Sequence, residues 1–344
     1  MRNKGLIVSA GCGLALLVSG CTSASDTSSS SSDRTVVATT TILGSVAEQV
    51  TDCAGGTVTT LMPRGVDPHD YSPSSSDVVT MVGADLVVAN GLGLEEGLAS
   101  ALENAAEDGA NVYEVAPNVD PLPFSEEPES HEAAHEDEEA GHSDEADHEG
   151  DEHEGEKHSE DEADHDHGDL DPHVWMDTAR MAQAAELIGG QLADATGDEN
   201  YRNCGSEAAA SLQETNQQVT SAMADIPQKD RKLVTDHDSL GYFAAAYDFE
   251  VEGVVIPGGS TLGQPDSAEL ATLAKLIKDE KIPAIFVSEG ASPALADALA
   301  AEVGEEVQVV TLYVGSVGPE GSDAATYQGM MTSNARTVAG ALTS

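Results

Sequence analysis

Three histidines, His69, His173 and His237, lie in short polar motifs whose residue types fit metal coordination. They occur in GVDPHDYSPSSSD, DPHVWMD and VTDHDSLGYFAAAYDFE, each at a turn or at the end of an apolar run. Pro68 and Pro172 favour extended backbone at the preceding Asp, and neighbouring carboxylates or carbonyls can orient an imidazole through its second nitrogen. Three imidazoles and one oxygen satisfy tetrahedral zinc. Each could instead be an ordinary turn histidine, but the occurrence of all three in such motifs favours a metal site.

The other eight of the 11 histidines lie in one segment that is nearly all His, Glu, Asp, Ala and Gly. Between residues 126 and 171 the chain carries 23 of its 63 acidic residues and almost no side chain large enough to bury. We therefore predict an unfolded, hydrated loop over residues 126–170. Its imidazoles would collect metal ions weakly, or the segment is only a solvated, charged linker. The histidines concerned are His131, His135, His142, His148, His153, His158, His165 and His167.

The N-terminus has the features of a lipoprotein signal peptide over residues 1–20. Basic residues are followed by an apolar run and then by Val18-Ser19-Gly20-Cys21, which resembles a bacterial lipobox. That resemblance implies cleavage before Cys21, lipid on its sulfur and a Ser-rich tether over residues 21–33. No other segment approaches the roughly 20 apolar residues that span a bilayer. We expect a protein anchored by lipid to the extracytoplasmic face of a bacterial cell membrane, or one secreted by an ordinary signal.

Cysteine use and charge narrow the class of protein further. Once the signal is removed and Cys21 is lipidated, Cys53 and Cys204 remain in an oxidising exterior, and we predict a disulfide between them. The alternative is two separate buried thiols. A formal net charge of −49 excludes nucleic acid as a partner and favours cations.

The elements that must position the three histidines alternate between short apolar strands and helices. This pattern predicts an α/β fold with two similar lobes of mostly parallel sheets, joined by one long backbone helix, with a metal cleft between the lobes. The N-terminal lobe would span residues 34–125 and the C-terminal lobe residues 227–344. A metal-ligand turn and the linking helix would occupy residues 171–226. Ligands bind at the carboxyl ends of parallel strands, so the three histidines can point into one cleft.

Several motifs together carry a resemblance to a known family. GVDPHDYSPSSSD, DPHVWMD after the His-rich segment, TDHDSLGYFAAAYDF, FVSEG and TYQGMM with Asn334 resemble the zinc/manganese solute-binding lipoproteins of metal ABC transporters. The resemblance runs from about Thr35 to the C-terminus. It implies two lobes bridged by a rigid helix, a buried metal with His69, His173 and His237 as ligands, and delivery to an ABC permease and its ATPase. We expect a monomer.

The fourth ligand departs from the family pattern. The family commonly has an acidic ligand a dozen positions before the terminal Tyr, and Gly315 occupies that position here. We favour Glu289 as the substitute because it ends the apolar run PAIFVSE and should face the cleft. Asp70, Asp238 or a water molecule are the alternatives.

Ligand type favours zinc as the transported ion. Manganese prefers oxygen-rich sites, and in the family manganese carriers tend to replace the third histidine by an acid, whereas His237 is present here. A manganese- or iron-type receptor and a surface zinc buffer or adhesin are the alternatives. A zinc hydrolase is disfavoured because no G-x-S-x-G occurs, and because lobes that close over a metal leave little room for a substrate. The one H-E-x-x-H match, at residues 131–135, lies in the acidic segment that we expect not to fold. We predict that the protein is not an enzyme.

Overall fold

Four parallel strands form the sheet of the first lobe. The computed structural model describes residues 34–124, 170–304 and 307–343, and every range below refers to these. The strand order is β2-β1-β3-β4. The elements are β1 (Thr35–Ala38), α1 (Thr41–Ala54), β2 (Thr57–Thr60), α2 (Ser75–Val82), β3 (Leu86–Ala89), α3 (Ala99–Glu107) and β4 (Val112–Glu114).

Two helices, rather than the one long helix expected from the sequence, lead from the first lobe to the second. They are α4 (Thr178–Thr196) and α5 (Asn200–Ala222). The helix α4 ends at Gly197, whose left-handed conformation (φ 73°) stops the helix and lets the chain turn back after three residues. Gly189 and Gly205 then allow the two helices to pack with their backbones in contact. The prediction of a single linking helix is therefore wrong, although the prediction that this segment is helical is correct.

The second lobe repeats the topology of the first. Its four parallel strands have the order β6-β5-β7-β8, so the first strand of each lobe is flanked by the second and third. The predicted fold class, α/β with two parallel-sheet lobes, is confirmed. The elements are β5 (Lys232–Thr235), α6 (Gly241–Tyr247), β6 (Glu250–Val254), α7 (Ser267–Glu280), β7 (Ala284–Ser288), α8 (Ala294–Val303), β8 (Gln308–Leu312) and α9 (Tyr327–Leu342).

One hydrophobic cluster extends through both lobes. It includes Val36 and Val88 of the first sheet, Ile188 of α4, Leu212 of α5 and Phe286 of the second sheet, all fully or almost fully buried. The central strands are continuous apolar runs because helices cover both faces of a parallel sheet. Burial of this surface holds the two lobes against the helix pair.

Two further features bear on the sequence predictions. A disulfide joins Cys53 of α1 to Cys204 of α5, with the Cα atoms 5.7 Å apart. None of the helices in the described part of the chain combines the length and the apolar run needed to cross a bilayer. The signal segment, Cys21 and the eight histidines of the acidic segment lie outside the described residues.

Candidate metal centre

Each of the three histidines is placed by the end of a secondary-structure element. His69 follows the turn after β2, His173 begins a 3₁₀ turn (Val174–Met176) just before α4, and His237 follows β5. Asp177 caps α4 by accepting a hydrogen bond from Ala179 N–H (2.8 Å), which fixes the chain directly after the His173 turn. The ends of the elements bring together side chains that are 104 and 64 positions apart in the sequence.

The three imidazoles meet in the interior between the lobes. His69, His173 and His237 are 4 %, 1 % and 3 % exposed, and one ligand atom from each lies within 4.8 Å of the others. His69 Nε2 and His173 Nε2 are 3.3 Å apart, and the ring centroids are separated by 5.2 to 5.6 Å. This spacing allows three nitrogens to surround a single ion.

Carboxylates orient two of the three rings through the second nitrogen. Asp171 Oδ1 lies 2.7 Å from His173 Nδ1, and Asp236 Oδ1 lies 2.9 Å from His237 Nδ1. Asp236 is itself held by the N–H of Ser288 (2.6 Å) and by its hydroxyl (3.1 Å). With Nδ1 donating to a carboxylate, the lone pair of Nε2 is free to face the metal.

Burial keeps the imidazoles of His69 and His173 uncharged. Desolvation, assisted by the positive charges that His173 and His237 would carry, lowers the pKa of His69 from its usual 6.5 to about 3. Desolvation also places the pKa of His173 well below its ordinary value. Burial raises the pKa of Asp171 to about 7, although the hydrogen bond from the backbone N–H of His173 acts to lower it. Because a metal must displace protons from its ligands, neutral imidazoles are prepared to bind it at neutral pH.

Burial and hydrogen bonding act in opposite directions on the carboxylate beside His237. Burial alone would raise the pKa of Asp236, but the hydrogen bond and charge of His237 and the bonds from Ser288 bring it below its ordinary value. Asp236 therefore stays ionised and stabilises positive charge at the site.

The space enclosed by the histidines has the size of an ion rather than of an organic substrate. The cavity volume is about 10 Å³, on the scale of one water-sized sphere. Its lining comes from both lobes and consists of Asp67, Pro68, His69, His173, Trp175, His237, Thr261, Ser288, Glu289, Val314 and Gly315. A cavity this small fits metal sequestration.

The predicted fourth ligand, Glu289, lines the cavity but its carboxylate does not join the group of converging ligand atoms. It directly follows β7, is partly buried, and burial raises its pKa. Of the alternatives, Asp70 is exposed, and Asp238 is buried but does not line the cavity. Gly315 does line it, and a Cβ there would lie 2.8 Å from Pro68 Cδ, so the backbone approaches the His69 turn closely.

Asp67 and Thr261 are polar residues that line the cavity but were not among the candidates from sequence. Asp67 precedes Pro68 in the first DPH motif, so the motif itself contained a signal for it. Thr261 lies in the long connection between β6 and α7, where no local pattern distinguished it from its neighbours. Both carry polar groups at the same cavity as the three histidines.

Two parallel-sheet α/β lobes with an ion-sized histidine site between them define a metal-binding protein of the solute-binding class. The comparisons with known proteins agree with this class. Residues 36–341 match the family described as zinc-uptake complex component A, periplasmic (ZnuA). The chain belongs to this family, whose members are the metal-binding components of ABC uptake systems. Because these are transport proteins, the prediction that the chain is not an enzyme is confirmed.

Some relatives are named for zinc and others for manganese, and both kinds are similar to this chain over nearly its whole length. The manganese-binding lipoprotein MntA of Halalkalibacterium halodurans is 28 % identical over 94 % of each chain. The zinc-binding protein TroA of Treponema pallidum is 30 % identical over 96 % of this chain and 97 % of its own. The solved structure of the periplasmic zinc-binding protein TroA from Treponema pallidum superposes with a TM-score of 0.71, at 26 % identity, over 90 % of this chain and 99 % of that one. The predicted family is therefore confirmed.

Proposed function

We propose that this protein captures zinc between its lobes and delivers it to the membrane permease and ATPase of an ABC importer. The observation that carries the proposal is the convergence of three buried imidazoles, His69, His173 and His237, on one ion-sized cavity. Burial favours the neutral form of His69 and His173. Asp171 and Asp236 orient the rings of His173 and His237. Neutral nitrogen ligands bind zinc well at neutral pH.

A manganese receptor is the second candidate. Two manganese-binding lipoproteins are among the relatives, from Halalkalibacterium halodurans and Bacillus subtilis. The cavity is also lined by the carboxylates of Asp67 and Glu289, and oxygen ligands suit manganese. Zinc is favoured because neither carboxylate belongs to the converging group of ligand atoms in the described residues.

Glu289 is the proposed fourth ligand. Its support is its place directly after β7, at the wall of the cavity that the three histidines also line. A water molecule is the alternative. Glu289→Gln should weaken zinc binding if the carboxylate is a ligand and leave it unchanged if water completes the site.

The histidines of residues 126–170 are proposed to gather zinc for the cleft. Their support from the described residues is the position of the flanks: Pro123 and Leu170 pair as an antiparallel bridge, and Leu170 is three positions before His173. Weak sites tethered so close to the cleft raise the local zinc concentration. The same segment could instead sense zinc sufficiency.

The protein is proposed to act as a lipid-anchored monomer at the extracytoplasmic face of the cell membrane. The support is the lipobox-like sequence that ends at Cys21 and the lipoprotein names of the two MntA relatives. Palmitate labelling of cells should mark the wild-type protein and not a Cys21→Ala variant.

Competition between the two metals at the cleft tests the zinc assignment. Protein lacking residues 126–168 would be equilibrated with equal concentrations of zinc and manganese. Its metal content would then be measured by mass spectrometry. Zinc should occupy the site, and His69→Ala should retain neither ion. Retention of manganese in preference to zinc would make the assignment wrong.

Most nitrogen sites in isolated proteins bind zinc more tightly than manganese. Growth of cells therefore provides a second readout of which metal the protein supplies. Cells without the gene should grow poorly when zinc is chelated and recover when zinc is added. Recovery with manganese alone would identify a manganese importer, and normal growth under zinc starvation would favour a surface zinc buffer.

A further inference from the structure

The two Asp-Pro-His motifs form the same local turn. In the first, Asp67 Oδ1 accepts a hydrogen bond from the backbone N–H of His69 at 3.0 Å. In the second, Asp171 Oδ1 accepts one from the backbone N–H of His173 at 2.9 Å. The aspartate side chain thus fixes the backbone of the histidine two residues later in both motifs.

The two aspartates differ in their remaining contacts. Asp171 also lies 2.7 Å from the Nδ1 atom of its own histidine. Asp67 Oδ2 instead accepts a hydrogen bond from the hydroxyl of Thr261 at 2.6 Å, while His69 Nδ1 is buried and has no hydrogen-bond partner. The orientation of the His69 ring therefore depends on its backbone turn, and that turn depends on Asp67.

The hydrogen bond between Asp67 and Thr261 connects the two lobes at the cavity wall. Asp67 follows the second strand of the first lobe, whereas Thr261 lies between β6 and α7 of the second. Both residues line the cavity together with His69. A second contact nearby, from Gly65 N–H to Ser316 Oγ at 2.9 Å, also joins this turn to the second lobe.

We propose that Thr261 is a positioning residue for the metal site, acting through Asp67 to hold His69 toward the other two histidines. This inference rests on the proposed function of metal capture. When the lobes are in contact here, the Thr261 hydroxyl fixes Asp67 and the His69 turn is rigid. When the lobes separate, the hydrogen bond between Thr261 and Asp67 is lost. His69 then has no side chain hydrogen-bonded to its Nδ1 atom to keep it in place, unlike His173 and His237. Thr261 thereby controls how fast the ion leaves from the His69 side.

The test compares zinc dissociation from Thr261→Val and Thr261→Ser. Zinc-loaded protein lacking residues 126–168 would be mixed with excess chelator in a stopped-flow instrument. Thr261→Val keeps the shape and removes the hydroxyl, so zinc should dissociate roughly tenfold faster, the scale of one hydrogen bond to a charged group. Thr261→Ser restores the hydroxyl and should return the rate to within about twofold of the wild type.

Thr272→Val is the matched control in the same lobe. Its hydroxyl donates to Ala268 O (2.9 Å) within α7, so its removal should leave the dissociation rate unchanged. In a double-mutant cycle, Thr261→Val should add little to Asp67→Ala, because Thr261 acts through the Asp67 carboxylate that the first change has already removed. Urea unfolding of each variant before zinc loading identifies any change that acts by unfolding the protein.

Three outcomes would overturn the inference. These are a wild-type rate in Thr261→Val, an equally fast rate in Thr261→Ser, and full additivity of the Asp67 and Thr261 substitutions. Failure of the proposed function gives a different result: the wild-type protein would then hold no zinc that is lost on His69→Ala.

Discussion

At the scale of the residue, burial determines the protonation state of the metal ligands. His69 lies in the interior with no partner on Nδ1, whereas His173 and His237 have Asp171 and Asp236. A buried imidazolium without a paired carboxylate is costly, so the neutral form dominates at His69. Burial keeps His69 neutral and ready to bind a metal, and the same burial makes the metal-free protein less stable in acid.

The pKa of His69 predicts a pH dependence of stability in the metal-free protein. Because the pKa falls from 6.5 to about 3 on folding, the unfolded chain binds a proton between these values that the folded chain does not. The free energy of unfolding should therefore fall as pH falls from about 6.5, by up to about 1.4 kcal/mol per pH unit from this group. Urea unfolding at two pH values measures it.

His69→Gln is the control for this prediction, since glutamine does not titrate. Between about pH 6.5 and pH 4.5, the variant should lose roughly 2 kcal/mol less stability than the wild type. Other groups titrate in both proteins and cancel in the comparison. Equal losses in the two proteins would show that His69 is not buried as a neutral imidazole.

The sequence predicted the metal-binding side chains better than the contacts that support them. The three histidines were identifiable because each stands in a polar motif at the end of an apolar run. Thr261 was not, because its hydrogen bond to Asp67 crosses 194 positions of sequence and no local pattern encodes such a contact. The position of the Glu289 carboxylate depends on a side-chain rotamer, which residue types alone do not specify.

At the scale of the element, glycine determines how closely the two linking helices pack. Gly189 of α4 faces Gly205 of α5, and a Cβ on Gly189 would lie 2.5 Å from Tyr201 O and 2.8 Å from Gly205 Cα. Backbone atoms cannot move aside as a flexible side chain can. This pair therefore fixes the helix hairpin that precedes the second lobe.

Alanine at Gly189 should destabilise the protein. The clash with the backbone of α5 should lower the free energy of unfolding by about 1–3 kcal/mol. Gly190→Ala is the neighbouring control, since its Cβ would meet only the flexible Arg202 side chain at 3.3 Å. Helix propensity favours alanine by up to about 1 kcal/mol there. Urea denaturation compares the two, and a Gly189→Ala variant as stable as Gly190→Ala would contradict the packing argument.

Element boundaries show where sequence patterns were insufficient. The run RTVVATTTIL has the residue types of one strand, but β1 ends at Ala38 and α1 begins at Thr41. The strand ends early because Thr40 caps the helix by accepting a hydrogen bond from Leu43 N–H. The single linking helix failed for a related reason. Helical residue types continue on both sides of Gly197, and only the left-handed backbone there shows that the chain turns.

At the scale of the whole molecule, the first lobe and the helix pair are joined covalently as well as by packing. The disulfide from Cys53 to Cys204 closes 151 positions of sequence and connects α1 to α5. A cross-link over so long a loop restricts the unfolded chain strongly. It lies outside the cavity lining, so it stabilises the frame and takes no part in binding metal.

Removal of the disulfide should therefore reduce stability without changing zinc affinity. In the Cys53→Ser/Cys204→Ser variant, the free energy of unfolding should fall by about 2–5 kcal/mol. Chemical reduction of the wild type should give a similar loss. Guanidinium unfolding and a zinc titration of the folded variant measure the two quantities, and a large loss of affinity in folded protein would contradict this separation.

We infer that the tight metal site is the histidine cleft and not the acidic, histidine-rich segment. The zinc titration that tests this is made against a competing chelator, with the chain from residue 34 and the same chain lacking residues 126–168. One tight site should survive removal of the segment and disappear in His69→Ala. Loss of tight binding on removal of the segment would contradict binding at the cleft and would identify the protein as a surface zinc sink instead.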